Sequence, residues 1–543
     1  MLLWCVNKVG FLYLSPMKGI FCFLIFVFVM RLSTAQILTS SNLPIMIINT
    51  YGNSIADDYR IVAGIGIINN APGVRNYLTD PVNDFDGQVT IEIRGSTSQQ
   101  YPKLSYAFTP VDSIGNKIDA ALLGLPAESD WVLYAPYSDK SLIRNTLAFY
   151  LARQIGHYTS RTRFVEVMLN GNYLGNYELL EKIKVDPARV DISELSPADT
   201  TGDQLTGGYI FKVDKTTGSG DSIWYSDYDS LVFFQYHDPD DSSMAQVQRD
   251  YIRNYVYQFE TALLSSGFAD VDTGYRKYAD ASSFIDFFLL QEMGHTVDGY
   301  RSSCFLHKDK DSHDGRIKMG PMWDFNVSYG NINYCSAYDT VGWQYQFNNV
   351  CNGYYPRVPF WWTRLLEDTT FQNQLRCRWD ELQIRVLNID TINRWIDSVT
   401  TILDESQQRN FQQWPILGVY VNWNYYVGAT YEDEVSYLKT WIADRLVWMD
   451  NNIPGNCIII PTVEPPATLF ANSGLSLSPN PASDVLTIEN TTADLKIFNL
   501  LGEEILLKKI FADGARTAID VSSFASGIYF IHAGNEVVKF MKK

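Results

Sequence analysis

Cysteine and histidine are scarce in this chain, with seven and six among 543 residues. No CxxC pair or His/Cys cluster has zinc-site spacing, which excludes a zinc centre as the organising chemistry. Positive charge is short as well: 43 Lys and Arg stand against 61 Asp and Glu, a formal net charge of −18. A chain with no excess of cations does not neutralise a phosphate backbone, so nucleic-acid binding is excluded. Neither a glycine-rich phosphate loop nor a P-loop occurs. A membrane-spanning run is also missing, because the long apolar stretch Ile20 to Met30 is too short to cross a bilayer comfortably. What remains is a globular composition, 46% hydrophobic and 19% charged. The length suits two or three domains. The 34 Tyr and 13 Trp suit a rigid, secreted surface.

The apolar run reads as the core of a signal peptide over residues 1–35. Lys18 precedes it, and Ser33 and Ala35 supply the small residues that signal peptidase needs for a cut before Gln36. Cleavage removes Lys8, Lys18 and Arg31 and no acid, leaving 40 − 61 = −21 and no membrane span. Five cysteines then remain, so at least one is free or pairs between chains. Cys335 and Cys351 flank an aromatic, Asn-rich loop and are the pair expected to form a disulfide.

The Pro461-Thr-Val-Glu-Pro-Pro466 stretch marks a linker over 457–473, between a body at 36–456 and a module at 474–543. The module carries short strand-like runs at Leu475–Ser478, Val485–Ile488, Leu495–Phe498 and Gly527–Ile531, and reads as a small all-β sandwich.

The body begins strand-rich. Val89, Ile91 and Ile93 alternate with polar residues, and Arg94-Gly-Ser-Thr-Ser98 ends that strand. A helix is predicted over Ser138 to Ile155. Asn170-Gly171 joins two strands as a tight hairpin turn. The second part is helical: Gln246 to Leu264 forms one helix, and Ser282 or Ser283 is expected to cap another. Asp298 follows in a loop. A hairpin around Asp314-Gly315 comes next, and then Met319-Gly-Pro-Met-Trp-Asp-Phe-Asn326.

Strands, helix, hairpin, connection, helices, loop Asp, hairpin and second Asp is the element order of a protein kinase. The expected class is therefore α+β, an atypical two-lobed protein-kinase-like fold followed by the sandwich. In such a layout Asp298 orients or deprotonates the acceptor hydroxyl. Asp324 ligates Mg²⁺, a hard cation that takes oxygen ligands, and Asn326 is a second ligand or a turn former. Lys103, ahead of the strand containing Tyr106-Ala-Phe108, takes the place of the phosphate-binding lysine. Arg144 stands where kinases carry a glutamate, so its planar fork could meet phosphate directly. Arg94 is a third cation for ATP, and Glu181 and Lys182 stand where a hinge would meet adenine. Asp309, Asp311 and Asp314 look at first like a calcium loop, but no Glu stands at the twelfth position, and a solvated hairpin turn is favoured.

These segments resemble the CotH family, the spore-coat-type atypical protein kinases. The matching motifs are Arg94-Gly-Ser-Thr-Ser with Pro102-Lys103, Asp130 to Asn145, Asn170 to Glu181, Gly207 to Lys212, Val297 to Arg301, and Gly320 to Asn326. The resemblance implies ATP- and Mg²⁺-dependent phosphorylation of Ser or Thr on a protein. One departure stands out: many members carry Asn five residues after the catalytic Asp, and here that residue is Ser303, a weaker metal ligand. The alternative is a catalytically weak kinase-like scaffold that serves as a surface adhesin or binding protein. A third is transfer of some other group. The C-terminal module resembles the sorting domain of type IX secretion, through Ser478 to Asp484, Ile497 to Gly502, Val521 to Phe530 and the basic tail. That implies the type IX secretion machinery as a partner, and a secreted or outer-membrane surface location in a Bacteroidetes-type Gram-negative bacterium.

Overall fold

The computed structural model describes residues 38–216, 222–457, 476–489, 495–499, 504–505, 509–512, 516–524, 527–533 and 536–543. The expected signal peptide and residues 458–473 of the expected linker lie outside these. The chain divides into two compact units between Cys457 and Ile458.

The first unit opens with seven strands that close into a barrel. In chain order they are β1 (Ile45–Asn49), β2 (Ile61–Ile68), β3 (Phe85–Arg94), β4 (Ser105–Val111), β5 (Trp131–Tyr134), β6 (Thr162–Leu169) and β7 (Asn172–Glu181). Their order around the barrel is β1-β2-β3-β4-β5-β7-β6, and the parallel pairing of β1 with β6 closes it. Alternation drives closure: Ile65, Ile67, Val89, Ile91, Phe108, Leu133 and Val167 all point into one buried core. The β6–β7 hairpin turns through Asn170 and Gly171, both at positive φ (49° and 80°), as the predicted tight turn requires.

Helix α1 spans Arg144–Gln154, six residues later than the sequence predicts. Residues 138–143 are not helical because the Asp139 carboxylate accepts from the N–H groups of Ser141 (3.1 Å) and Arg144 (2.9 Å). Leu142 moreover sits at φ +63°, outside the helical region. Both features start the helix at Arg144.

The rest of the unit pairs a second sheet with helices. The sheet contains β8 (Tyr209–Val213), β9 (Ile223–Tyr225), β10 (Phe233–Asp238), β11 (Cys304–Lys308) and β12 (Lys318–Met319), in the order β9-β10-β8-β11-β12. Helix α2 covers Gln246–Leu264, as the sequence predicts. Helix α3 covers Ala281–Gly294 and is buried on almost every face, with Phe284, Phe287 and Phe288 packed on Trp361 and Trp362. Its cap is Asp280, whose carboxylate accepts from Ser282 N–H, rather than either serine. Helices α4 (Thr369–Gln383), α5 (Ile389–Gln413) and α6 (Tyr431–Asn452) complete it. Helix α5 clamps the β6–β7 hairpin: Asn176 Nδ2 of β7 donates to Ser406 Oγ (2.9 Å), and Arg409 pairs with the buried Glu166 of β6 (2.5 Å).

Two disulfides form within this unit, the expected Cys335–Cys351 and a second, Cys377–Cys457, which the sequence reading does not identify. Cys304 is free and buried. Among the described residues no helix is long and apolar enough to cross a membrane.

The second unit is all β. Two four-stranded antiparallel sheets share a core in which Leu486, Ile488 and Ile519 of one meet Ile497, Ile531 and Phe540 of the other.

Candidate functional site

A cleft of about 290 Å³ opens in the first unit where the barrel meets the second sheet and its loops. Arg94 and the Ser96-Thr-Ser98 turn approach it from the end of β3. Asp298 enters from the loop between α3 and β11, and Asp324 and Asn326 from the loop after β12. The structure thus brings together four of the eight residues the sequence singles out.

Asp298 is about one-third exposed (34%) and oriented: Arg301 Nη2 donates to its Oδ1 at 2.9 Å. Arg301 is held in turn by the carbonyls of Val297 and Pro356 and lies 4.2 Å over the Phe347 ring. Oδ2 is left without a protein hydrogen bond among the described residues.

Asp324 sits at φ +64°. Non-glycine residues pay for that region in backbone strain, and Asp is among the side chains that tolerate it. The conformation is pinned from α1, because the next N–H, that of Phe325, donates to Asn145 Oδ1 at 2.6 Å. Burial, reinforced by the charge of Asp298, pushes the Asp324 carboxyl up to about 6, while Lys215 and Arg94 pull it the other way. Asn326 faces the cleft, and its carbonyl accepts from Asn331 Nδ2 at 2.7 Å. Arg94 lies 5.5 Å over the Trp323 ring and makes no ion pair among the described residues. Burial lowers its pKa.

The other four predicted residues do not line the cleft. Lys103 is fully buried and donates to the Asn176 carbonyl and to Asn410 Oδ1 (2.8 Å), against the Tyr177 ring. Tyr101 and Ser105 do face the cleft, so the lysine between them turns away from its neighbours and toward α5. Arg144 is buried and paired with Asp139 at 2.6 Å, with Nε and Nη2 unpartnered among the described residues. Glu181 is buried under Arg161, which reaches it through Nη2 at 2.6 Å. Lys182 is exposed.

Three further residues, Asn145, Lys215 and Arg301, also line the cleft. Asn145 and Arg301 end motifs that the sequence reading singles out, and Lys215 follows another by three residues. Glu178 of β7, by contrast, is fully buried and does not line the cleft. Burial pushes its pKa up to about 8, against the lowering influence of Thr146 and Lys103. The period-two pattern of a strand gives no hint of it.

Among the described residues no group of three or more His, Cys, Asp or Glu converges as a metal cage. The donors on offer are the Asp324 carboxylate and the Asn326 amide. Those hard oxygens fit Mg²⁺, which uses one or two protein ligands and fills its remaining positions with water and phosphate oxygens.

Comparison with known proteins gives two matches. A family model described as CotH kinase protein matches residues 91–449. One described as secretion system C-terminal sorting domain matches residues 476–543. No curated protein matches the chain.

Proposed function

Because this chain belongs to the CotH kinase family, we propose that it is an exported kinase that transfers the γ-phosphoryl group of ATP to a Ser or Thr hydroxyl of a protein. Its sorting domain indicates secretion or display on the outer-membrane surface of a Bacteroidetes-type Gram-negative bacterium. The observation that carries the reading is one cleft holding two half-buried carboxylates, Asp298 oriented by Arg301 and Asp324 set at a left-handed backbone position. An atypical two-lobed kinase-like architecture, with the barrel as one lobe and the second sheet with its helices as the other, accommodates that cleft between them.

In this reading the Asp298 Oδ2 accepts the acceptor hydroxyl's proton as the acceptor oxygen bonds to the γ-phosphorus. The bond from that phosphorus to the β–γ bridging oxygen breaks, and ADP leaves. Asp324, with Asn326, holds Mg²⁺, which when bound neutralises charge on the phosphate oxygens. Arg94 supplies a fixed cation beside them, and Arg301 keeps Asp298 aimed.

A second reading, a kinase-like scaffold that binds a surface partner, is favoured by one observation: Lys103 and Arg144 are both committed away from the cleft. Incubation of the purified protein with labelled ATP, Mg²⁺ and surface-protein extracts separates the two. Phosphate transfer that is lost in Asp298→Asn and Asp324→Ala, with both variants folded, supports the kinase. Absence of transfer together with absence of nucleotide-induced stabilisation leaves the scaffold.

A further inference from the structure

A polyphosphate needs more than one cation near its terminal group. Three cationic side chains reach the cleft: Arg94, Lys215 and Arg301. Arg301 is spent on Asp298 and two carbonyls. Lys215 is not. Its ammonium donates to a neutral hydroxyl, Thr97 Oγ1 of the turn after β3, at 3.2 Å, and makes no ion pair among the described residues. The neighbouring Asp214, which could have neutralised it, pairs instead with Lys212 at 3.1 Å.

The backbone at Lys215 is also fixed. Its N–H donates to Asp214 Oδ1 (2.8 Å), and its carbonyl accepts from Gln235 Nε2 (2.6 Å) on β10. An anchored backbone beneath a lightly held ammonium is a cation positioned in advance of its ligand. Thr97 brings the turn of Arg94-Gly-Ser-Thr-Ser98 against it, so the two uncommitted cations share one wall with three hydroxyl side chains.

We infer that Lys215, in place of Lys103, is the lysine that contacts the terminal phosphate oxygens of the nucleotide. The assignment rests on the phosphotransfer reading above. Contact is with the phosphates only, so removal of the ammonium weakens nucleoside triphosphate binding and leaves nucleoside binding alone.

The test is calorimetric binding of adenosine and of Mg²⁺–ATP to the full chain and to its Lys215→Ala and Lys215→Arg variants, with thermal unfolding of each without ligand. The expected result for Lys215→Ala is unchanged unfolding, unchanged adenosine affinity and a loss of about tenfold or more in ATP affinity. Lys215→Arg recovers part of that loss. Wild-type ATP affinity in Lys215→Ala, or an equal loss for adenosine, overturns the assignment and leaves the phosphotransfer reading standing. A wild-type chain that binds no ATP at all removes that reading, and this assignment with it.

Discussion

Asp324 joins two properties that reinforce each other. Its left-handed backbone aims a short carboxylate out of an apolar stretch, Trp323 on one side and the fully buried Phe325 on the other. The burial that holds it there also disfavours its charge. A raised carboxyl keeps its proton to a higher pH than an ordinary one, so proton and metal compete in the range just below neutrality. Divalent-metal affinity, measured with Mn²⁺ as reporter, is expected to fall about tenfold for each pH unit below about 6. Asp324→Asn should bind weakly at every pH, without that slope. At this scale the sequence made Asp298, Asp324, Asn326 and Arg94 legible, because each lies in a short motif whose residue types limit the chemistry. It did not reveal that Lys103 turns toward Asn410, 307 positions away. Motif spacing carries no information about which way a long side chain turns at a bend, and the amide that draws it away is distant in sequence.

Elements position this site by gripping loops rather than by supplying many cleft residues. The first turn of α1 places Asn145 against the Phe325 N–H, while Asp139 ends the preceding turn. The sequence reading extended α1 back to Ser138 because Leu142 and Leu147 continue an apolar pattern, and hydrophobic periodicity cannot register a carboxylate that caps from five residues upstream. Helix α2 and the hairpin are legible in the sequence because their signals, a long amphipathic run and Asn-Gly, are local. Helix α4 is tied to the end of the first unit by Cys377–Cys457, across 80 positions. Replacing both cysteines by serine is expected to lower the unfolding free energy by about 2–4 kcal/mol in denaturant titrations, since so long a loop constrains the unfolded chain strongly. An equal midpoint for the variant would contradict this.

At the scale of the whole molecule, each unit has its own buried core. Nucleotide recognition in the reading above uses the first unit alone, whereas export is the business of the second. Protein cut between residues 458 and 475 should therefore show the same ATP-induced rise in melting temperature as the intact chain. A reduced rise would assign the sandwich a part in binding. The all-β character of the second unit was readable from its short strand-like runs. The barrel was not, because its closure depends on β1 pairing in parallel with β6, a contact between segments more than a hundred positions apart.

The position of Cys457 has a bearing on durability. It is the last residue of the first unit, and it is stitched to α4. Once the sorting module is severed, the new end of the body would be hemmed rather than ragged. A carboxypeptidase nibbling inward meets a covalent knot before it reaches the aromatic helix α6. For a protein bound for the cell exterior, that stitch would set where such trimming stops.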